Sequence, residues 1–233
     1  MTWITQPHNN TLFAHLVSLM PPLNMHAGPW IAGGSARKLA QQQPFEAGDV
    51  DVFFAAHSQR LAWTQQFESM LRYDLAEKPT AFDHCLEITS LESHAQDGLY
   101  IKPKKFTAPY CYKKLETDNA DTYGVYFELD HTVHDIDVQL IKTRYAPTLL
   151  DLWRDFDFTI SCYAADSHTV YHTASAAEDL DHNRIVINNA LPKRNLALRL
   201  IKHHAYGFDV APELLIEASQ LIARGEYEWN EIY

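Results

Sequence analysis

Trp30-Ile31-Ala32-Gly33-Gly34-Ser35-Ala36-Arg37-Lys38-Leu39, followed by Asp49-Val50-Asp51-Val52-Phe53-Phe54, decides how the chain folds. An apolar run, two glycines and helix-forming residues from Ala36 to Gln43 predict a strand, a tight turn and a helix. The second segment alternates carboxylate and apolar side chains, which is the period of a strand. Two glycines let a backbone approach phosphate closely, the helix opening at Ser35 turns free N–H groups toward it, and the Ser35 hydroxyl adds a hydrogen bond. Asp49 and Asp51, two apart on a strand, share a face and offer hard oxygen ligands to Mg²⁺ or Mn²⁺.

Outward from this unit, Thr11 to Met20 carries apolar residues at helical spacing before Pro21-Pro22, and His57 to Tyr73 reads as an amphipathic helix through Leu61, Phe67, Met70 and Leu71. Strands are expected at Cys85 to Ser90 and Gly124 to Leu129, around a loop rich in Lys, Pro and Tyr. A firmer one runs from His134 to Ile141, with Asp135, Asp137 and Gln139 on one face. Beyond Pro147 the pattern becomes mainly helical (Asn195 to His204, Pro212 to Arg224), with Gly207 and Gly225 as stops and short strands at Thr169 to His172 and Arg184 to Ile187. The expected fold class is α/β: a small mixed sheet flanked by helices over residues 1–150, then a helical lobe over 151–233.

Either Asp135 or Asp137 has the parity to add a third carboxylate. The context Ile136-Asp137-Val138 mirrors Val50-Asp51-Val52 and favours Asp137. Such a trio would hold ions that align a hydroxyl and a leaving pyrophosphate. Plainer readings stand beside these: a strand-to-helix turn at Gly33-Gly34, and a solvated polar strand face at Asp137.

On these residues the chain resembles the DNA polymerase beta-type nucleotidyltransferase superfamily. Gly-Gly-Ser-Ala-Arg-Lys-Leu is similar to the GGxVRDL opening of tRNA nucleotidyltransferases and bacterial poly(A) polymerases. Asp157-Phe158-Thr159-Ile160-Ser161 resembles their DFTIN segment, Ala176-Ala177-Glu178-Asp179-Leu180 their GGxEDL turn, and Arg199 to Phe208 their neck helix. The resemblance covers about Trp30 to Val210. It implies a Mg²⁺-dependent enzyme moving an NMP from a nucleoside triphosphate to an RNA 3′ end, or to a protein if the chain is a nucleotidylating toxin or modifier; a non-catalytic nucleotide-binding domain is the further alternative. Asp49, Asp51 and Asp137 would be catalytic metal ligands, and Gly33, Gly34, Ser35, Arg37, Arg199 and Lys202 nucleotide contacts. Two family features are missing: Arg154 stands alone where the family has paired arginines, and Pro192-Lys193-Arg194-Asn195-Leu196 replaces its EDxxR template.

The 233 residues carry 19 Lys+Arg against 30 Asp+Glu, a net charge of −11. That argues against a protein that coats nucleic acid non-specifically. The charge is uneven. Lys102, Lys104, Lys105, Lys113 and Lys114 lie in one acid-free window among Phe106, Tyr110 and Tyr112, and Arg184, Lys193, Arg194, Arg199 and Lys202 lie in another. Lysines among aromatics suit a single-stranded end or a solvated loop. Cys85, Cys111 and Cys162, an odd number and widely spaced, suggest reduced thiols and a cytoplasmic protein. No apolar run is long enough for a membrane helix, and the histidines lack partners at structural-zinc spacing.

Overall fold

The computed structural model describes residues 3–43, 45, 49–71, 86–88, 101–103, 110–188 and 196–224. Its centre is an eight-stranded mixed sheet in the order β1-β10-β9-β2-β3-β8-β7-β6. The strands are β1 (Ile4–Pro7), β2 (Trp30–Ala32), β3 (Val50–Phe54), β6 (Tyr110–Glu116), β7 (Ala120–Leu129), β8 (Thr132–Tyr145), β9 (Tyr163–Ala165) and β10 (Thr169–His172). β3 and β8 run parallel, and the other neighbours are antiparallel. β4 (Leu86–Ile88) and β5 (Ile101–Pro103) form a separate two-stranded sheet.

The α/β class and flanking helices follow the sequence, but several boundaries move. β6 falls in what reads as a loop, because its Tyr-Cys-Tyr-Lys-Lys run finds a partner in β7. β8 is longer than expected at both ends, since β7 pairs with it from Leu129↔Thr132 and β3 reaches it at Phe54↔Tyr145. β9 and β10 belong to the same sheet as β2 and β3. Where Arg184 to Ile187 suggests a strand, only single bridges form, Phe158↔Ile187 and Arg184↔Asp209.

Seven helices complete the described chain: α1 (Thr11–Ser18), α2 (Gly34–Ala40), α3 (His57–Leu71), α4 (Leu149–Arg154), α5 (Ala174–Asp181), α6 (Leu196–Ala205) and α7 (Pro212–Ala223). α1 starts where the Asn10 side chain accepts from the Phe13 N–H, and buries Phe13 and Leu16. The inward face of α3 differs from its sequence reading. Trp63 and Phe67 are buried and stacked, 4.9 Å between centroids, while Leu61 and Met70 are exposed. Arg60 sets this rotation, because its guanidinium reaches the buried Asp121 on β7 at 2.9 Å. A buried charge with a partner fixes the helix face more firmly than one leucine does.

A second cluster, Phe158, Ile160, Ile185, Ala197, Leu200, Phe208, Val210 and Ala218, joins the 3₁₀ turn Thr159–Ser161 to α6 and α7. Ile160→Val should cost about 1 kcal/mol. A urea titration of the purified protein checks it, and an unchanged midpoint would show that α6 and α7 add nothing to the cooperative unit. Among the described residues, no helix is long and apolar enough to cross a membrane.

Candidate functional site

Gly33 makes the turn between β2 and α2 with φ +89°, a left-handed conformation that favours glycine, and its N–H donates to the Tyr163 carbonyl at 2.9 Å. A Cβ there would lie 4.0 Å from Asp51 Oδ2, and a Cβ on Gly34 would meet nothing within 4 Å. The turn thus opens beside Asp51. α2 has only seven residues, and its Ser35, Ala36, Arg37 and Leu39 are buried.

The parallel pair sets the carboxylate row. Val50 stands opposite Val138 and Asp51 opposite Gln139, so Asp49 comes beside Asp137. Asp137, and not the exposed Asp135, is the residue that acts on Asp49, whose carboxyl is raised first by burial and then by Asp137. Asp51 is raised to about 7, first by burial and then by Asp49, against the pull of Arg199, Arg144 and Lys202. The charge of Asp137 thus bears on Asp49, and that of Asp49 on Asp51. The three carboxylates do not converge as ligands: Asp137 has both oxygens 2.9 Å from Lys114 Nζ. Among the described residues, no group of three or more His, Cys, Asp or Glu side chains could hold a metal ion. The expectation of Mg²⁺ or Mn²⁺ on Asp49, Asp51 and Asp137 is corrected accordingly.

Cations of the chain itself face this row. Arg144 enters because the β3–β8 ladder jumps from Val52↔Leu140 to Phe54↔Tyr145, leaving an irregular stretch that carries it. Burial lowers its pKa, and Asp157, Asp155 and Asp51 oppose that shift. Arg199 is anchored, with Nη1 donating to Oδ2 of Asp157, which is 4 % exposed. Lys202, one turn along α6, is exposed and draws down the carboxyls of both Asp49 and Asp51.

Arg37 is 9 % exposed, with its guanidinium 5.2 Å from the centroid of the Phe208 ring. Its Nε and the Ser35 Oγ are buried without a hydrogen-bond partner. No carboxylate of the described residues lies within ion-pair distance of Arg37 in any described pair. His203, edge-on to Phe158, Tyr206 and Phe208, has its pKa lowered to about 4 by burial and then by Arg37.

Sequence reasoning missed Arg144, because the strand seemed to end at Ile141, and missed the role of Lys114. Lys104, Lys105, Phe106 and Pro192 to Asn195 lie outside the described residues. Within the two basic windows, Lys113 pairs with Glu116 and Asp121, Lys114 with Asp137, and Arg184 with Glu178 and Asp179.

The downstream segments that resembled nucleotidyltransferase motifs have local structural reasons. Thr159 Oγ1 donates to the buried Asp179 Oδ2 at 2.6 Å, and the half-exposed Arg184 donates through Nε to Asp179 Oδ1 at 2.5 Å, so both segments meet at Asp179. No curated protein matches the chain. A family model described as "Gad2: Gabija anti-defense 2 family protein" matches residues 8–183, about three quarters of the chain. That match overturns the resemblance to the DNA polymerase beta-type superfamily. With the missing metal-ligand group among the described residues, it also overturns the expected Mg²⁺-dependent NMP transfer, the alternatives built on it, and the transferase, metal- and ATP-binding descriptions. The chain belongs to the Gabija anti-defense 2 family.

Proposed function

We propose that the protein counteracts Gabija defence, and that it acts by binding a phosphate-bearing ligand at the polar face formed by α2, β3, β8 and α6. The observation that carries this reading is Arg37, a buried guanidinium with no carboxylate partner among the described residues, on the same helix as the unpartnered Ser35 Oγ. Both groups are costly when left unsatisfied in a dry site. A phosphate group satisfies a guanidinium and a hydroxyl together.

The remaining charges support an anion. Burial and Asp49 disfavour the charged form of Asp51, Asp137 is matched by Lys114 and Asp157 by Arg199, while Arg144 and Lys202 add positive charge. In this reading Gly33 and Gly34 leave room for the ligand, Ser35 and Arg37 hold it, and Lys202 and Arg199 shape the field, with Arg199 fixed by Asp157. β3 and β8 supply the carboxylates and α6 supplies Arg199 and Lys202. The three widely spaced cysteines, of which Cys162 is buried and free, suit action in the cytoplasm.

Expression of the chain in a Gabija-bearing host should restore plating of a Gabija-sensitive phage. Lys202→Glu, an exposed charge reversal that leaves the core untouched, should reduce that restoration by about tenfold or more. Full restoration by Lys202→Glu would remove this face from the function, and no restoration by the wild-type chain would remove the function itself.

A further inference from the structure

Lys114 is placed by an irregularity in the sheet. β6 pairs Lys113 with Tyr123 and Leu115 with Thr122, so Lys114 is an extra residue in the ladder. A bulge of this kind re-aims the side chain it carries. β7 lies between β6 and β8, and strands two apart are separated by about 10 Å. An extended lysine and an aspartate cover that span together, provided nothing stands between them. The β7 residue opposite Asp137 is Gly124, which puts no side chain in the row. Lys114 Nζ accordingly reaches both Asp137 oxygens at 2.9 Å, with the two side chains 44 % and 27 % exposed.

We propose that Lys114 is a tethered counter-ion, a positioning residue that neutralises the Asp137 end of the carboxylate row so that the polar face admits an anion without touching it. This rests on the anion-binding reading above and deepens it, because it names the chain's own device for making an acidic row tolerate phosphate. Three carboxylates side by side repel an incoming anion, and an ammonium fixed on one of them cancels that repulsion. The other charges against the row, Arg144, Arg199, Lys202 and Lys38, come from β8, α6 and α2, so Lys114 is the contribution of the β6 edge of the sheet.

The test uses inorganic tripolyphosphate as probe, with the full chain, in EDTA. Lys114→Gln should weaken binding about tenfold, Lys114→Arg should keep it, and Lys114→Gln with Asp137→Asn should return it to within about threefold of wild type. A double variant as weak as Lys114→Gln would overturn the proposal, because it would mean that Lys114 contacts the probe directly. A readout without ligand separates this from the functional reading. By ¹³C NMR the Asp49 carboxyl should titrate at higher pH in Lys114→Gln and return toward wild type in the double variant. Those shifts with no probe binding would sink the anion-site reading and with it the ligand half of the proposal; no shift at all would sink the counter-ion.

Discussion

Arg37→Met leaves the protein as stable as wild type or more stable by about 1–3 kcal/mol, and reduces restoration of phage plating to background. The two halves follow from the same burial. Methionine fills much of the volume of the arginine stem and keeps its contact with Phe208, while removing a buried charge with no carboxylate partner among the described residues. What is lost is the cation–π attraction to Phe208, worth about 1 kcal/mol, against a desolvation cost of several. A ligand phosphate would lose a charge-assisted, bidentate partner. Urea unfolding and plating, run on the same variant, check the pair of outcomes. A loss of more than about 2 kcal/mol would make Arg37 a structural residue and withdraw the reading built on it.

Asp51 gives the second large effect, on the pH dependence of folding. Its folded pKa is raised to about 7 by burial, whereas the unfolded chain titrates near the ordinary value of 3.8. Between these the folded state binds a proton that the unfolded state does not, so stability is full below about pH 4 and falls as pH rises through about 7. The size of the fall is about 2–4 kcal/mol. Asp51→Asn removes most of that slope: it should match wild type at pH 4 and exceed it by that amount at pH 8. Asp49, also raised, leaves a smaller slope of the same sign. Urea titrations across this range decide it, and slopes that stay parallel would show that Asp51 ionises freely in the folded protein.

The parts of the fold legible in the sequence are those in which neighbours in the chain are neighbours in space. Trp30-Ile31-Ala32, the positive-φ Gly33 and the alternation from Val50 to Phe54 yield β2, α2 and β3 almost as read. Leu61 and Met70 mislead because the face of α3 is chosen by Asp121, sixty-one positions from Arg60. Charge behaves the same way. Two windows without acids look like basic patches, yet Asp121, Asp137, Asp157, Glu178 and Asp179 are folded onto Lys113, Lys114, Arg199 and Arg184.

The site was legible as a place and not as a chemistry. Glycine turn, Asp-x-Asp and Asp137 do come together around β3 and β8, because parity on paired strands is local information. Whether three aspartates converge on an ion depends on what else reaches them. Lys114 arrives from a bulge two strands away, and Arg144 from a break in the ladder. Neither irregularity leaves a signature in a single sequence. The segments from Asp157 to Ser161 and from Ala176 to Leu180 meet through the buried Thr159–Asp179 hydrogen bond, with the half-exposed Arg184 on the other Asp179 oxygen, a structural demand that resembles a catalytic motif.

An isothermal titration of the wild-type chain with inorganic tripolyphosphate, in excess EDTA, bears most directly on the idea that the chain's own cations make an anion site. Saturable one-to-one binding of the phosphate probe, abolished by Arg37→Met, is the expected result. No binding, or binding that arises only once a divalent cation is supplied, would contradict it.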